Sequence, residues 1–532
     1  MNLSNQDASQ QNLMTDDEYA QLPSSLYLAE DVRELDRFAI EECGIDGFEL
    51  MTKAARFAFH TLVKTWPKCD SLIVLCGSGN NAGDGYIMAA LAHKRGMVVS
   101  VFYASPPERL KGDAREAYLS CQQQGVTCLE FAASTFQQHV ASANTVIVDA
   151  LLGTGLNTEV RGNYAEMIQA ANTALRPIFA VDVPSGLCSN TGQVLGLAIR
   201  ASVTATFIAL KLGLFTGHGR EYAGRICFSR LELGSEILDH RPAVATRLDL
   251  NKLLSKVRAR ARSTHKGQCG HVMIIGGDIG FGGAVIMASK AAARMGAGLS
   301  SVITQASHRT ALLSNLPEAM VHSPENLGEI EQLLRKADVI VIGPGLGQSA
   351  WSEKMLFAAL NAKKPLVLDA DALNLLAHNS NFQQLIHCAE EVVRANYVFT
   401  PHPGEAARLL MVSSESIQSD RLNSLKALHA KWGGNILLKG SGSLIITQQE
   451  QLSLCPYGNP GMASGGMGDV LSGLIGGLMA QGFEAGFALE LAASLHARAA
   501  DITSEADGER GLLASDLIPL ARQLLNVKYN CK

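Results

Sequence analysis

The sequence predicts an α/β protein made of two successive parallel-sheet units, and three observations carry that prediction. Short, continuous apolar runs recur along the chain, among them Ser71–Cys76, His271–Ile275 and Asn435–Leu438, the pattern of strands covered on both faces. Most of these runs pass straight into a glycine-rich turn and then into helical periodicity, the order of a βα unit. At 532 residues the chain exceeds one ordinary core, and length alone suggests roughly two to four domains.

Bulk composition narrows the function. Apolar residues make up 47% and charged residues 18%, with fifty glycines against sixteen prolines, as in well-buried α/β enzymes acting on small molecules. A net charge of -5 provides no electrostatic reason to expect nucleic acid or a membrane surface. Eleven cysteines, an odd number without a C-x-x-C pair, fit a reducing cytoplasm. Residues 1–21 are polar and lack the basic and apolar regions of a signal peptide. No apolar run approaches the length of a membrane span. Oligomeric state is not readable, so a homo-oligomer stays open.

In the first half, residues 26–63 carry helical spacing on both sides of Gly44 to Gly47, predicting two helices. The strand Ser71–Cys76 then enters G-S-G-N-N-A-G-D-G at 77–85. A strand, a glycine turn and a helix hold phosphates in doubly wound folds, yet Ala82 stands where the third glycine of a dinucleotide fingerprint would fall. Two further predicted strands, 145–152 and 178–183, lead into G-T-G-L and P-S-G and place Asp149, Asp182 and Ser185 near their ends. Ligands of open α/β sheets bind beyond the carboxyl ends of the strands. Asn81, Asp149 and Ser185 offer oxygen ligands to a hard cation, whereas no His/Cys set has zinc spacing. Singly, each aspartate is about as well explained as a cap or a turn; three such turns in succession favour a site.

G-S-G-N-N-A-G-D-G, V-D-A-L-L-G-T-G and V-D-V-P-S-G, in this order, resemble the NAD(P)H-hydrate epimerase domain. That resemblance implies a Rossmann-like fold and a potassium ion held through Asn81, Asp149 and Ser185. It also implies substrate contacts from Asn80, Asn81, Ala82, Gly83 and Asp84, from Gly153, Thr154, Gly155, Leu156 and Asn157, and from Asp182. The family more often has N-N-G-G-D-G, so Ala82 is a mild departure. The family's reaction inverts C6 of a hydrated nicotinamide ring, and Asp182 is the candidate acid/base. Residues 1–25 form a polar arm, 26–233 the first domain with late strands at 204–210 and 226–231, and 234–247 a linker without clear strand signal.

From residue 248 to 532 a second domain repeats the pattern. Each predicted strand end carries a chemical cluster: the glycine turn at 276–283 before a helix at 284–295, then G-P-G-L-G, D-A-D, P-H-P-G-E and K-G-S-G-S. The last cluster is N-P-G-M-A-S-G-G-M-G-D, opening an apolar helix at 470–480. Small residues there let backbone N–H groups converge on an anion, and the carboxylate of Asp469 is awkward beside a phosphate unless it takes a proton. The plainer reading makes Asp469 a helix cap, His402 a turn brace and Glu405 the cap of the next helix. No G-x-x-x-x-G-K-[ST] occurs, so a P-loop is excluded.

H-K-G-Q-C-G-H, G-P-G-L-G, D-A-D-A-L-N, T-P-H-P-G-E, L-K-G-S-G and N-P-G-M-A-S-G-G-M-G-D together resemble the ADP/ATP-dependent NAD(P)H-hydrate dehydratase family. The resemblance implies a ribokinase-like fold and hydrate contacts from Ala284, Gly345, Gly347, His402 and Asp469. It places the nucleotide on Lys439, Gly440, Ser441, Gly442, Ser443 and Gly468, with magnesium accompanying ADP or ATP, and makes Asp469 the catalytic base. An epimerase-like half before a dehydratase-like half resembles the bifunctional NAD(P)H-hydrate repair enzymes. These interconvert R and S hydrates at C6 and dehydrate the S form to NAD(P)H, releasing phosphate and AMP or ADP; similarity to bacterial fused enzymes favours ADP. Two rivals remain at this stage: a small-molecule kinase of ribokinase type in the second half, and a non-catalytic ligand-binding module in the first.

Overall fold

The computed structural model describes residues 21–526. The chain separates into two compact units that meet in sequence between Thr246 and Arg247.

The strands of the first unit are β1 (Ser25–Tyr27), β2 (Ser71–Cys76), β3 (Val98–Tyr103), β4 (Thr127–Glu130), β5 (Thr145–Ala150), β6 (Ile178–Val181), β7 (Val203–Phe207), β8 (Leu210–Lys211) and β9 (Arg225–Ser229), with β10 (Ala245–Arg247) at its end. Seven of them form a parallel sheet in the order β4-β3-β2-β5-β6-β7-β9. Successive side chains of a strand point to opposite faces, and here both faces are covered. Leu72, Val74 and Cys76 enter the core under the helices Gly47–Thr65 and Asn80–Lys94, while Ile73 and Leu75 pack with Phe136, Met167 and Ile168 on the other side. The chain reverses its direction of progress across the sheet between β2 and β5, which opens a crevice beyond their carboxyl ends.

Backbone geometry revises three expected boundaries. The strand expected at 178–183 stops at Val181 because Asp182 adopts a left-handed φ of +66°, which cannot continue a pleat. The strand expected at 204–210 breaks at Ile208, φ +65°. Beyond the break, β8 pairs in parallel with β1, which pairs on its other edge with β10. The expected linker at 234–247 thus carries a 3-10 turn, Ser235–His240, and a strand. A three-residue strand is too short to leave a periodic signal in the sequence. The polar arm reaches the described residues only at its end, where Ser25 is already in β1.

The second unit contains β11 (His271–Ile275), β12 (Leu299–Ile303), β13 (Met320–His322), β14 (Val339–Ile342), β15 (Leu366–Leu368), β16 (Tyr397–Phe399), β17 (Asn435–Leu438), β18 (Ser443–Ile446) and β19 (Leu452–Cys455). They are ordered β13-β12-β11-β14-β15-β16-β17-β18-β19, parallel as far as β17 and antiparallel after it. Progress across the sheet reverses between β11 and β14, so a second crevice opens there. Among the described residues no helix is long and apolar enough to cross a membrane.

One helix, Met467–Ala480, is buried at every position from Val470 onward. Its glycines explain how it fits. A Cβ on Gly473 would lie 2.2 Å from the Ala288 carbonyl oxygen, one on Gly477 2.6 Å from that of Ala292, and one on Gly476 2.2 Å from Val341 Cγ2. The missing methyl groups let this helix press on both the Gly282–Met295 helix and β14. We expect Gly473→Ala to lower the unfolding free energy of the chain by about 1–3 kcal/mol in urea titrations. Gly283→Ala, whose Cβ meets nothing within 4 Å, should cause no loss.

Candidate active sites

At the first crevice the turns after β2 and β5 lock together. The Asn81 amide donates to the Leu152 carbonyl at 3.2 Å, and a Cβ on Gly153 would sit 3.5 Å from Asn81 Cβ. Asp149, fully buried, accepts from the Ser185 backbone N–H at 2.7 Å and from the Ser185 hydroxyl at 2.6 Å. Burial pushes the Asp149 carboxyl up to about 6, against the opposing hydrogen bonds from Ser185 and Leu151. Asn81 Oδ1 is buried and has no hydrogen-bond partner, and the same holds for Asp84 Oδ1. Each orphaned oxygen in a native interior calls for an explanation. Asn80 and Asn157 are exposed at the rim, whereas Ala82 and Gly83 are buried in the first turn of the Asn80–Lys94 helix.

Asp182, where β6 ends, sits in a second group that includes residues the motifs do not mark. Its Oδ1 accepts from Lys211 Nζ at 2.5 Å and from Thr206 Oγ1 at 3.1 Å. Lys211 is 1% exposed. Burial, followed by the charges of Asp182 and Asp36, holds the Asp84 carboxyl well above the usual range, and burial likewise raises Asp36, with Asp182 adding to it. The sequence signal for Lys211 is a lone charge inside the apolar stretch 207–215, because lysine is almost never fully buried without a partner.

At the second crevice, the turns after β11 and β14 interlock through the Asp278 N–H to the Gly345 carbonyl, 2.8 Å. A Cβ on Gly345 would lie 3.0 Å from Ala284 Cβ, and the Gly347 N–H donates to Asp371 at 2.9 Å. Asp369, at the end of β15, is fully buried. Its Oδ1 accepts from Lys439 Nζ at 2.8 Å and its Oδ2 from the Ser472 hydroxyl at 2.7 Å. Lys439 also lies 3.8 Å from Glu405, which is 3.4 Å from His402 Nε2. A Cβ on Gly468 would fall 3.2 Å from Lys439 Nζ. His402, Lys439, Gly468 and Asp469 therefore share one site, and the glycine turns with Ala284 reach it through Asp371. The Lys439 to Ser443 turn is closed by the Gly440 N–H on Ser443 Oγ, 3.2 Å; Gly440 and Ser441 are its exposed tip, and Gly442 is buried.

Asp469 is not the helix cap. That place belongs to Gly466, φ +90°, and Asp469 stands in the first turn with no hydrogen-bond partner among the described residues. His402 does cap its helix, accepting from the Gly404 N–H at 3.0 Å while Glu405 reaches back to its backbone, so bracing and site membership coincide. Burial, then the charge of Asp369, pushes the Asp469 carboxyl up to about 7; Lys439 opposes this. Burial would also raise Asp369, but the Lys439 charge and the hydrogen bonds of Lys439 and Ser472 outweigh it and hold that carboxyl low. Desolvation disfavours the Lys439 ammonium, and the surrounding carboxylates more than compensate. Asp369, Asp371 and Ser472 are site members missed as individuals in the sequence, although the D-A-D motif contains two of them.

Residues 47–213 match the family described as the YjeF-related protein N-terminus, and residues 272–521 the family described as NAD(P)H-hydrate dehydratase. A bifunctional NAD(P)H-hydrate repair enzyme from Coxiella burnetii is 43% identical over 502 residues, covering 94% of this chain and 99% of the relative. The chain belongs to that family. The repair enzyme of the same description from Escherichia coli is 40% identical, with 96% of each chain covered. A solved ADP/ATP-dependent NAD(P)H-hydrate dehydratase from Bacillus subtilis, co-crystallised with ATP/Mg2+, is 26% identical with a TM-score of 0.46, covering 52% of this chain and 95% of its own. Membership makes this a bifunctional repair enzyme with an epimerase unit and a dehydratase unit.

Behind the dehydratase site, His496 is buried with Nε2 unpartnered. Burial, followed by the charge of Lys439, draws it down to about 4. A histidine whose pKa falls on folding gives stability that is full above its unfolded value, about 6.5, and is lost as pH falls toward its folded value. His496→Leu should therefore gain on the wild type by up to about 3 kcal/mol between neutral pH and the folded value, measured by urea unfolding at a series of pH values. An unchanged difference across that range would contradict this.

Proposed function

We propose that the first unit interconverts the R and S hydrates of NADH and NADPH at C6, and that the second returns the S form to NAD(P)H at the expense of ADP or ATP, with ADP preferred. Asp182 and Asp469 carry the proton transfers. In the first reaction the ring-nitrogen lone pair expels the C6 hydroxyl, which takes the proton of the Asp182 carboxyl and leaves as water. Water then adds to the other face of the iminium, giving its proton to the Asp182 carboxylate, and the nitrogen regains its lone pair. Asn80 to Asp84 and Gly153 to Asn157 line the ring's approach.

A potassium ion fits the turn between β2 and β5. The buried, orphaned Asn81 Oδ1, the buried Asp149 carboxylate and Ser185, linked through Leu152, are oxygen donors suited to a hard cation. When bound, the ion would supply positive charge for the substrate's phosphates. Magnesium would enter the second unit with the nucleotide, since it is commonly held by phosphates and few carboxylates.

The observation that carries the dehydratase reading is the unpartnered Asp469 carboxylate beside Gly468 and the Lys439 ammonium. Asp469 takes the C6 hydroxyl proton as that oxygen bonds to the terminal phosphorus and the bond to AMP or ADP breaks. Backbone N–H groups of Gly465 to Gly468 and Lys439 meet the transferred charge. Phosphate is a better leaving group than hydroxide. The ring nitrogen expels it, and loss of a C5 proton to the departing phosphate restores the dihydropyridine.

With a mixture of hydrate epimers and ADP or ATP, the purified chain should restore all the reduced-nicotinamide absorbance with one phosphate released per hydrate. A stable phosphorylated product would indicate a kinase instead, and recovery of neither epimer would overturn the reading. Two variants separate the units: Asp469→Asn should lose dehydration by about 10²–10⁴-fold while epimer exchange continues, and Asp182→Asn should do the reverse.

A further inference from the structure

We propose that Lys211 is a positioning residue of the epimerase site, fixing the Asp182 carboxylate so that Oδ1 is turned into the protein and Oδ2 alone meets the substrate. This rests on the reading of Asp182 as the acid/base.

The geometry leaves little freedom. Asp182 Oδ1 accepts from three donors: Lys211 Nζ at 2.5 Å, Thr206 Oγ1 at 3.1 Å and the Phe207 N–H at 3.4 Å. Oδ2 has no hydrogen-bond partner among the described residues. The side chain of Asp182 is 19% exposed, that of Lys211 1%. An ammonium has three protons, and those of Lys211 go to Asp182 Oδ1, to Thr206 Oγ1 at 3.1 Å and to the Phe207 carbonyl at 3.0 Å. Lys211 has no donor left for a ligand, so it acts through Asp182.

The backbone is arranged around this contact. A non-glycine residue at φ +66° persists only where its surroundings over-determine it, and Asp182 is held by its ion pair and by its N–H on the Ala205 carbonyl, 2.7 Å. The break at Ile208 turns the chain so that Lys211 comes back beside Thr206, the two strands being joined by the left-handed Ile208 and by Ala209. Pairing of β8 with β1, in which Tyr27 stands opposite Lys211, then fixes the lysine's backbone. Asp84, from the Asn80–Lys94 helix, and Asp36, from the Ala29–Glu41 helix, face the same pair, and Lys211 is the cation that offsets all three carboxylates. Without it, Asp182 would turn away from its like-charged neighbours and either oxygen could face the ring.

The test measures R-to-S interconversion by the full chain without nucleotide, so that dehydration is silent, in Lys211→Met, Lys211→Arg, Thr206→Val and Asp182→Asn. Lys211→Met should lower kcat about 100-fold, the effect of misplacing a reacting group by about 1 Å, with KM within about threefold of wild type. Lys211→Arg should recover about tenfold of that loss, because charge and donors return in altered geometry. Wild-type kcat in Lys211→Met, or a loss confined to KM, overturns the proposal when Asp182→Asn is inactive. Wild-type activity of Asp182→Asn overturns the underlying reading. Should Lys211→Met lack a cooperative thermal transition, Thr206→Val decides: lowered kcat at constant KM supports the proposal, and wild-type kcat overturns it.

Discussion

The dehydratase unit depends on one buried ion pair. Asp369 and Lys439, 2.8 Å apart, come from the ends of different strands and join the sheet to the helix that begins at Met467 through the Ser472 hydroxyl. Neither charge could be buried alone, since an unpaired buried ion costs several kcal/mol. The pair therefore requires both strand ends, and the helix that Ser472 joins to them, to be in register. It also sets the electrostatics of the site, because Asp369 repels and Lys439 attracts the charge of Asp469. A carboxylate with its proton affinity raised toward neutrality is suited to taking a hydroxyl proton at physiological pH.

The epimerase unit solves a similar problem with different parts. There a buried lysine, Lys211, neutralises Asp182 from a bent strand, and the buried oxygens Asn81 Oδ1 and Asp84 Oδ1 have no hydrogen-bond partner. In both units the site lies where the order of strands reverses, and glycines let one turn pass close to another. Gly77 against the Leu151 carbonyl and Gly276 against the Pro344 carbonyl, 1.8 and 1.9 Å from a would-be Cβ, make the same packing device in two unrelated sequences. The crevices differ in what they hold: the start of the Met467–Ala480 helix beside Lys439 in one, the Asp182–Lys211 pair in the other.

Much of this is legible in the sequence. Uninterrupted apolar runs located β2, β11 and β17 to the residue, and the glycine turns marked each crevice. What escaped was set by backbone geometry without a periodic signature. The left-handed residues Asp182 and Ile208 cut strands that read as continuous, and β10 is too short to be seen. Lys211 and Asp369 matter through contacts some 30 to 70 positions away in sequence, information that no local pattern holds. The alternative of a cap for Asp469 was removed by one dihedral angle, that of Gly466. For His402 the two readings proved compatible.

In the proposed dehydration Asp469 is a base whose proton affinity is raised by burial and by its charged neighbours. The most direct measurement is the pH dependence of kcat/KM for dehydration, which reports the groups of the free enzyme, in the wild type and in Glu405→Gln. Glu405 also titrates near neutrality, pushed up to about 7 by burial and by Asp369, so the variant separates the two carboxyls. The rate should fall about tenfold per pH unit below a pKa of about 7 in the wild type, and the fall should persist, displaced to lower pH, in Glu405→Gln, because the Glu405 charge is among those that raise Asp469. A rate independent of pH across that region, or a fall that disappears in Glu405→Gln, would contradict it.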